Sequence, residues 1–221
     1  MSRRASRRTG RRVVVAIDGP AGAGKSTAAL RVAQRLGYVL VDTGALYRGV
    51  ALAAKERGVA WSDGETVGDV ARQISLRFEN DPEGAPRLML DGRDRSKDIR
   101  APDISQGASE VSRHAAVREA LLSLQRELGA EGGVVLEGRD IGTVVFPDAE
   151  VKVFLTASVG VRAERRHREL EGRGVASDLG EVRSEIEVRD ARDSGREVAP
   201  LKPAPDALVL DTTPLDLDQV V

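Results

Sequence analysis

Near the N-terminus, glycine, lysine and a hydroxyl residue occur in the spacing G-x-x-x-x-G-K-S, over Gly19, Pro20, Ala21, Gly22, Ala23, Gly24, Lys25 and Ser26. Glycines let backbone N–H groups close around phosphate oxygens, because no Cβ stands in the way. The lysine of such a loop can reach the outer phosphates of a nucleotide, and the serine hydroxyl can bind Mg²⁺. We therefore predict a phosphate-binding loop that extends to Thr27, with Ser26 as the metal ligand.

The flanking residues decide between a phosphate-binding loop and a glycine-rich turn without a ligand. Residues 13–17 are a short apolar run without alternation, which is typical of a strand buried on both faces. After the loop, Leu30, Ala33 and Leu36 repeat at helical spacing, and Gly37 stands where a helix typically ends. A strand, this loop and a helix in that order favour the binding site.

A phosphate-binding loop defines a class of protein but not a reaction. The sequence has no N-K-x-D motif and no D-x-x-G after an early strand, which argues against a GTPase. The later part of the chain is rich in arginine. A kinase that acts without a second protein must supply its own cations to the transferring phosphate, and arginines on a closing lid can do so. We infer a small-molecule kinase rather than a GTPase or a helicase-like ATPase.

The segment DTGALYR, residues 42–48, follows a second apolar run and has the composition of a tight turn that opens a helix. Tyr47 and Arg48 lie one turn into that helix. The planar guanidinium of Arg48 is suited to a monophosphate, because its N–H groups match the phosphate oxygens. The alternative is a turn with a surface arginine.

The segment EGRDIGTVVFP, residues 137–147, follows another buried run. Ligands bind at the carboxyl ends of the strands in parallel sheets. Arg139 and Asp140 could therefore hold a phosphate and the amino group of a base. An isolated surface pair of arginine and aspartate is the alternative at this point.

Strands and helices must alternate to bring these segments together. Apolar runs at 13–17, 38–41, 134–136, 151–155 and 207–210 predict a five-stranded parallel sheet in a three-layer α/β fold, with right-handed crossovers. Helical patterns cover residues 27–36, 45–57, 102–128, 158–170 and 178–193. Two further strands, at 74–79 and 88–90, predict an antiparallel hairpin inside an insertion over about residues 61–100.

Composition excludes several other classes of protein. The chain has 221 residues, of which 41% are hydrophobic and 31% charged, as in a single soluble globular domain. Cysteine is absent and only His114 and His167 are histidines, so no disulfide, thiolate zinc site or three-histidine metal site can form. The apolar run at 13–17 is too short for an export signal, and no run is long enough to span a membrane. We expect a cytoplasmic protein without a membrane partner.

Residues 1–12 carry six arginines and no acidic residue, while the net charge of the whole chain is −1. Without this segment the net charge is −7, a mildly acidic body with a basic tail. We expect a disordered, solvated extension. Contact with nucleic acid is the alternative, but no aromatic residue is interleaved with the arginines, so we do not expect that partner.

The motifs GPAGAGKS, DTGALYR, EGRDIGTVVFPDA and VRDARDSGREVAPL together resemble those of the bacterial cytidylate kinases. The resemblance covers about residues 13–221. It implies a P-loop kinase that phosphorylates CMP and dCMP with ATP and Mg²⁺, with an enlarged monophosphate-binding insertion, and we expect a monomer. Two alternatives stay open: a UMP- or shikimate-type kinase on the same core, and a nucleotide-dependent protein that binds nucleic acid through its tail.

The resemblance also implies roles for individual residues. Those of the acceptor side are Thr43, Tyr47 and Arg48 around the nucleotide, Ser109, Arg118 and Asp140 at the cytosine ring, and Arg139, Arg189 and Asp193 at phosphate and sugar. The implied catalytic cations are Lys25, Arg139, Arg189 and Arg196. A helical lid over residues 158–193 is implied above ATP, with Arg162, Arg165 and Arg166. In three respects the chain departs from the family: Glu137 stands where an aspartate is expected, the arginine-rich tail has no counterpart, and a final helix beginning at Leu217 would be unusually short.

Overall fold

A computed structural model describes residues 12–80 and 86–221. Its strands are β1 (Val14–Asp18), β2 (Val39–Asp42), β3 (Leu76–Asn80), β4 (Pro86–Leu90), β5 (Arg93–Asp94), β6 (Val134–Gly138), β7 (Val151–Thr156) and β8 (Leu208–Asp211). Its α-helices are α1 (Lys25–Leu36), α2 (Thr43–Glu56), α3 (Gly64–Gln73), α4 (Pro102–Val111), α5 (Ala115–Gly129), α6 (Val159–Gly172), α7 (Leu179–Ser194) and α8 (Leu217–Val220). A 3-10 turn covers Asp98–Arg100, and a π-helical turn covers Ile141–Val145.

Five strands form a parallel sheet in the order β2-β6-β1-β7-β8, which confirms the predicted sheet. All five residues of β6 are buried, because helices cover both faces of the sheet. The register pairs Asp18 with Gly138 and Asp42 with Glu137, so the carboxyl ends of β1, β2 and β6 meet at one edge. The phosphate-binding loop and both candidate acceptor segments leave the sheet at that edge.

The insertion between β2 and β6 contains the predicted antiparallel strands, β3 and β4, with the short β5 as a third strand. It also contains α3, a helix that was not predicted. Asp63 caps α3 by accepting a hydrogen bond from the Thr66 N–H at 3.1 Å. Only three apolar side chains of α3 are buried, Val67, Val70 and Ala71, and so short a stripe is a weak periodic signal.

The helical stretch predicted at 102–128 is two helices, because the helical backbone is interrupted at Ser112–His114, between α4 and α5. His114 is partly buried, and its Nε2 lies 2.8 Å from the Trp61 carbonyl oxygen. Trp61 packs against the core, and its Nε1 donates a hydrogen bond of 2.9 Å to the Ala51 carbonyl. The interruption between α4 and α5 thus places His114 where it connects these helices to Trp61.

The prediction for residues 1–12 lies outside the described residues except at Arg12. The Arg12 guanidinium lies 5.9 Å from the centre of the Tyr38 ring, so this last arginine of the segment contacts the body of the protein. Within residues 12–80 and 86–221, no helix combines the length and the apolar character that crossing a membrane requires.

Candidate active site

A cavity of about 700 Å³ opens at the carboxyl edge of the sheet. Its lining includes the glycine-rich loop after β1, the start of α2, the loop after β6, and the arginine-bearing faces of α6 and α7, together with residues of α4, α5 and the segment after β8. Of these, the glycine-rich loop and the arginines of α6 were predicted at the donor, and the start of α2 and the loop after β6 at the acceptor. The fold therefore brings the predicted donor and acceptor segments to one cavity.

The glycine-rich loop has the backbone that its composition predicts. Gly22 and Gly24 have φ values of 75° and 89°, in the left-handed region that favours glycine. A Cβ at Gly19 would lie 2.0 Å from the Leu155 carbonyl oxygen, so the loop passes too close to β7 for any side chain. Because Gly24 immediately precedes α1, the free N–H groups of the first turn of that helix border the loop.

Lys25 is buried beneath this loop, and its Nζ donates a hydrogen bond of 2.8 Å to the Pro20 carbonyl. Burial, and next the nearby Arg139, lower the pKa of Lys25 to about 7, against the opposing influence of Glu137. A phosphate in the cavity would supply negative charge and favour the charged lysine. The site therefore holds a cation that is suited to an anionic ligand.

Glu137, the last residue but one of β6, is buried beside Lys25. Burial, and next the nearby Asp42, raise the pKa of its carboxyl, while Lys25 and Ser26 act in the opposite direction. Its Oε1 atom has no hydrogen-bond partner in the part of the chain that the structure describes. An unpartnered carboxylate oxygen next to a serine hydroxyl is a donor set that suits a hard divalent cation.

The start of α2 is held from both sides. Asp42 caps the helix by accepting a hydrogen bond of 3.1 Å from the Ala45 N–H, and its other oxygen pairs with Arg48 at 2.6 Å. The Thr43 hydroxyl donates a hydrogen bond of 2.7 Å to the Glu137 carbonyl. Thr43 and Arg48 are thereby fixed at the cavity wall next to the end of β6.

Arg118 on α5 and Asp140 after β6 form a buried ion pair. A second nitrogen of Arg118 donates a hydrogen bond of 3.2 Å to the Ser112 carbonyl, and its guanidinium lies 5.5 Å from the centre of the Tyr47 ring. Ser109 is placed differently from the prediction. It is buried, its Oγ accepts a hydrogen bond of 3.2 Å from Arg192, and it is not among the described residues that line the cavity.

Three arginines surround the carboxylate of Asp193 on α7. Arg139 donates to it at 2.9 Å, Arg196 also pairs with it, and Arg189 lies 3.9 Å away. Burial would raise the pKa of Asp193, but the three arginines lower it below its ordinary value. Burial, and next Arg139, lower the pKa of Arg189 to about 10.

This cluster carries more positive than negative charge. The buried Nε atoms of Arg189 and Arg196 have no acceptor among the described residues. All four members of the cluster line the cavity, so the excess of cations faces the space where an anion would bind.

The three arginines predicted for the lid have different surroundings. Arg165 and Arg166 line the cavity, and Arg165 donates to the hydroxyl and the carbonyl of Thr212 at 2.9 and 2.7 Å. Arg162 is buried, pairs with Asp190 at 2.6 and 3.1 Å, and reaches the Ala21 carbonyl at 3.2 Å. Arg162 thus connects the glycine-rich loop to α7 instead of facing the cavity.

Comparison with known proteins agrees with this geometry. The family model described as "Cytidylate kinase" matches residues 15–221. The chain is 50% identical over 211 residues to "Cytidylate kinase" of Syntrophotalea carbinolica, covering 96% of this chain and 89% of that one. It is also 50% identical to "Cytidylate kinase" of Exiguobacterium sibiricum, covering 96% and 94%. The chain belongs to the cytidylate kinase family. The resemblance in the sequence motifs is thereby confirmed.

Within this cytidylate kinase fold, sequence reasoning missed Asp18. The residue is buried at the end of β1, where its carboxylate accepts hydrogen bonds from the backbone N–H groups of Ile141 and Gly142. One signal was available: an acidic residue ends a wholly apolar strand immediately before the glycine-rich loop. A charge at such a position is rare unless it has a partner.

Proposed function

We propose that this member of the cytidylate kinase family transfers the γ-phosphoryl group of ATP to CMP or dCMP, which yields ADP and CDP or dCDP. One observation carries the proposal. The phosphate-binding loop and the buried Arg118–Asp140 pair line a single cavity, and the arginine cluster around Asp193 lines the same cavity. Donor phosphates, acceptor base and transferring group would each have a matching surface there.

The donor is ATP in this proposal. The loop from Gly19 to Thr27 would bind its phosphates through backbone N–H groups, with Lys25 at the outer phosphates. Mg²⁺ fits the oxygens of Ser26 and of Glu137, whose Oε1 is unpartnered within the described residues. A magnesium ion there would offset phosphate charge. The longer glutamate side chain would take the place of the aspartate expected in the family.

The acceptor base is cytosine because of the buried carboxylate of Asp140. Cytosine carries an N4 amino group, which donates a hydrogen bond, where uracil carries a carbonyl oxygen, which a carboxylate repels. Arg118 orients Asp140 and is available to the ring acceptors of the base. Thr43, Tyr47 and Arg48 would surround the monophosphate and sugar. Ser109 is not among the described residues that line the cavity, so it would join them only after α4 moves toward the base.

The transferring phosphoryl group would be neutralised by Arg139, Arg189 and Arg196. Phosphoryl transfer needs mainly alignment and charge neutralisation, so no side-chain general base is required. Asp193 keeps the three cations close together although they repel one another. Arg165 and Arg166 of the lid would complete the positive surroundings of the donor phosphates.

We also propose a division of labour within the chain. Residues 13–221 form the kinase domain, the insertion over about residues 61–100 belongs to acceptor binding, and residues 158–193 form the lid. The protein would act in the cytoplasm as a monomer, because one chain supplies every residue assigned to the site. Light scattering on the purified protein tests the monomer, and a dimer that dissociates into inactive chains would contradict it.

The decisive experiment is a coupled assay of ADP release with CMP, dCMP, UMP, AMP and shikimate as acceptors. We expect the highest kcat/KM with CMP and dCMP, and a value about 10²-fold lower with UMP. A preference for UMP or shikimate would replace this proposal by one of the alternative kinases. Absence of turnover with every acceptor, combined with binding of nucleic acid, would favour the nucleic-acid-binding alternative.

A further inference from the structure

Asp18 joins the donor side of the cavity to the acceptor side. It is the last residue of β1, adjacent to the glycine-rich loop, and the sheet register places it beside Gly138 of β6. One of its carboxylate oxygens accepts a hydrogen bond of 2.8 Å from the Ile141 N–H, and the other accepts one of 2.7 Å from the Gly142 N–H. Both oxygens are therefore used on the loop that follows β6.

Those two N–H groups belong to the first two residues of the π-helical turn Ile141–Val145. The first N–H groups of any helical turn have no carbonyl acceptor within the turn itself and need a partner from elsewhere. Asp140 occupies the N-cap position, and aspartate there commonly caps its own turn. Its carboxylate instead pairs with Arg118. Asp18 thus caps the turn from another strand, which leaves the Asp140 carboxylate available to the cavity.

The burial of Asp18 is costly, which indicates a specific role. Only 5% of the residue is exposed, and it forms no ion pair within the described residues. Burial raises the pKa of Asp18 to about 6 in spite of the two N–H donors.

We propose that Asp18 is a positioning residue for acceptor recognition. Its two hydrogen bonds fix the backbone after β6. That backbone directs Asp140 toward Arg118 and Arg139 toward Asp193. Without this contact the β6–turn junction would be free to rotate, and the buried carboxylate that distinguishes cytosine from uracil would lose its fixed direction. This inference rests on the proposed function.

The first test is Asp18→Asn, which keeps the shape of the side chain but turns an NH₂ group toward one of the two N–H donors. We expect kcat/KM for CMP to fall by about 10- to 100-fold, and the CMP/UMP ratio to fall at least about 5-fold. The Kd for ATP, measured without acceptor, should change less than about 2-fold. The control is Asp63→Asn, which alters a carboxylate that also accepts two hydrogen bonds, at the start of α3 outside the cavity.

A double-mutant cycle separates positioning from general loss of structure. If Asp18 acts through Asp140, Asp18→Asn should no longer lower the CMP/UMP ratio once Asp140 is alanine. A further fall of the ratio in that background would overturn the proposal, as would an unchanged ratio in Asp18→Asn alone. Equal losses of ATP and CMP affinity would also overturn it, because they would place Asp18 in the donor loop.

If Asp18→Asn does not fold, Asp18→Glu provides the second variant. The extra methylene group keeps the carboxylate but displaces it from the N–H groups of Ile141 and Gly142. We expect a fall of the CMP/UMP ratio of about 2- to 5-fold with unchanged ATP binding, and no fall would overturn the proposal. Failure of the proposed function is distinguishable, since the wild-type protein itself would then show no turnover with CMP.

Discussion

Arg139 donates a hydrogen bond of 2.9 Å to the carboxylate of Asp193, although 54 residues separate them in the sequence. Arg139 follows β6, and Asp193 lies near the end of α7, so this contact joins the acceptor edge of the sheet to the lid. Asp193 also keeps Arg189 and Arg196 beside Arg139. A single buried carboxylate thus holds the three cations together.

Replacement of that carboxylate should disperse the cluster. In Asp193→Asn, three buried or half-buried guanidinium groups would repel one another without compensation. We expect kcat/KM for CMP to fall by about 10²-fold or more, and the free energy of unfolding to fall by about 3–5 kcal/mol. Steady-state kinetics and urea denaturation measure the two effects. Glu187→Gln, which alters an exposed pair on the same helix, should change neither, and a similar loss there would show that α7 is simply fragile.

Lys25 should be essential to turnover. It is the one lysine of the glycine-rich loop, and no other side chain of the loop carries a charge. Lys25→Ala should lower kcat by about 10²-fold or more, because the charge that stabilises the transferring phosphate is lost. The comparison is Lys55→Ala, an exposed lysine paired with Asp103, which should retain normal kcat. Near-normal turnover in a folded Lys25→Ala protein would refute the assignment.

Asp140 should determine base selection. Asp140→Ala should cost about 2–4 kcal/mol in kcat/KM for CMP and much less for UMP, because uracil makes no favourable contact with the carboxylate. ATP affinity should stay nearly unchanged. The measurement is kcat/KM for both acceptors at saturating ATP. Equal losses for both would mean that Asp140 positions Arg139 or supports the fold instead of contacting the base.

Asp18 should make stability depend on pH. Because the folded protein holds the Asp18 proton up to about pH 6, and the unfolded chain releases it near pH 4, the folded state binds more protons between these values. Its contribution to the free energy of unfolding is therefore present below pH 4 and is lost as pH rises through 6. This contribution of Asp18 to the free energy of unfolding is roughly 2–3 kcal/mol. Denaturation of wild type and Asp18→Asn at pH 4.5 and 7 isolates this contribution, and a difference that does not change with pH would contradict it.

The arginine-rich tail should be dispensable for catalysis. Deletion of residues 1–11 should leave kcat/KM unchanged and Tm within about 2 °C, because the segment has no apolar periodicity. Removal of Arg12 as well should cost no more than about 1 kcal/mol, since its guanidinium contacts the Tyr38 ring at an exposed site. Loss of activity on removing residues 1–11 would make the tail part of the working enzyme.

Local signals in the sequence determined the parts of this protein that depend on near neighbours. The strand, loop and helix around Lys25 were predictable because their signals, an apolar run, a glycine-rich segment and a helix-ending glycine, each lie within a few consecutive residues. The five parallel strands followed from their alternation with helices. The helix α3 and the break before α5 were not predictable, because the former has a short apolar stripe and the latter depends on the distant contact between His114 and Trp61.

Only the tertiary structure decided which distant residues meet. The strand order β2-β6-β1-β7-β8 brings Asp18 beside the loop after β6, 123 residues away, and gathers three arginines on Asp193. In the folded protein, Arg162 pairs with Asp190 instead of facing the cavity, and the Ser109 hydroxyl accepts a hydrogen bond from Arg192. The physical reason is that a buried charge needs a hydrogen-bonding or oppositely charged partner, and that partner often comes from a residue distant in the sequence. Periodicity along the chain carries no information about which distant residue it is.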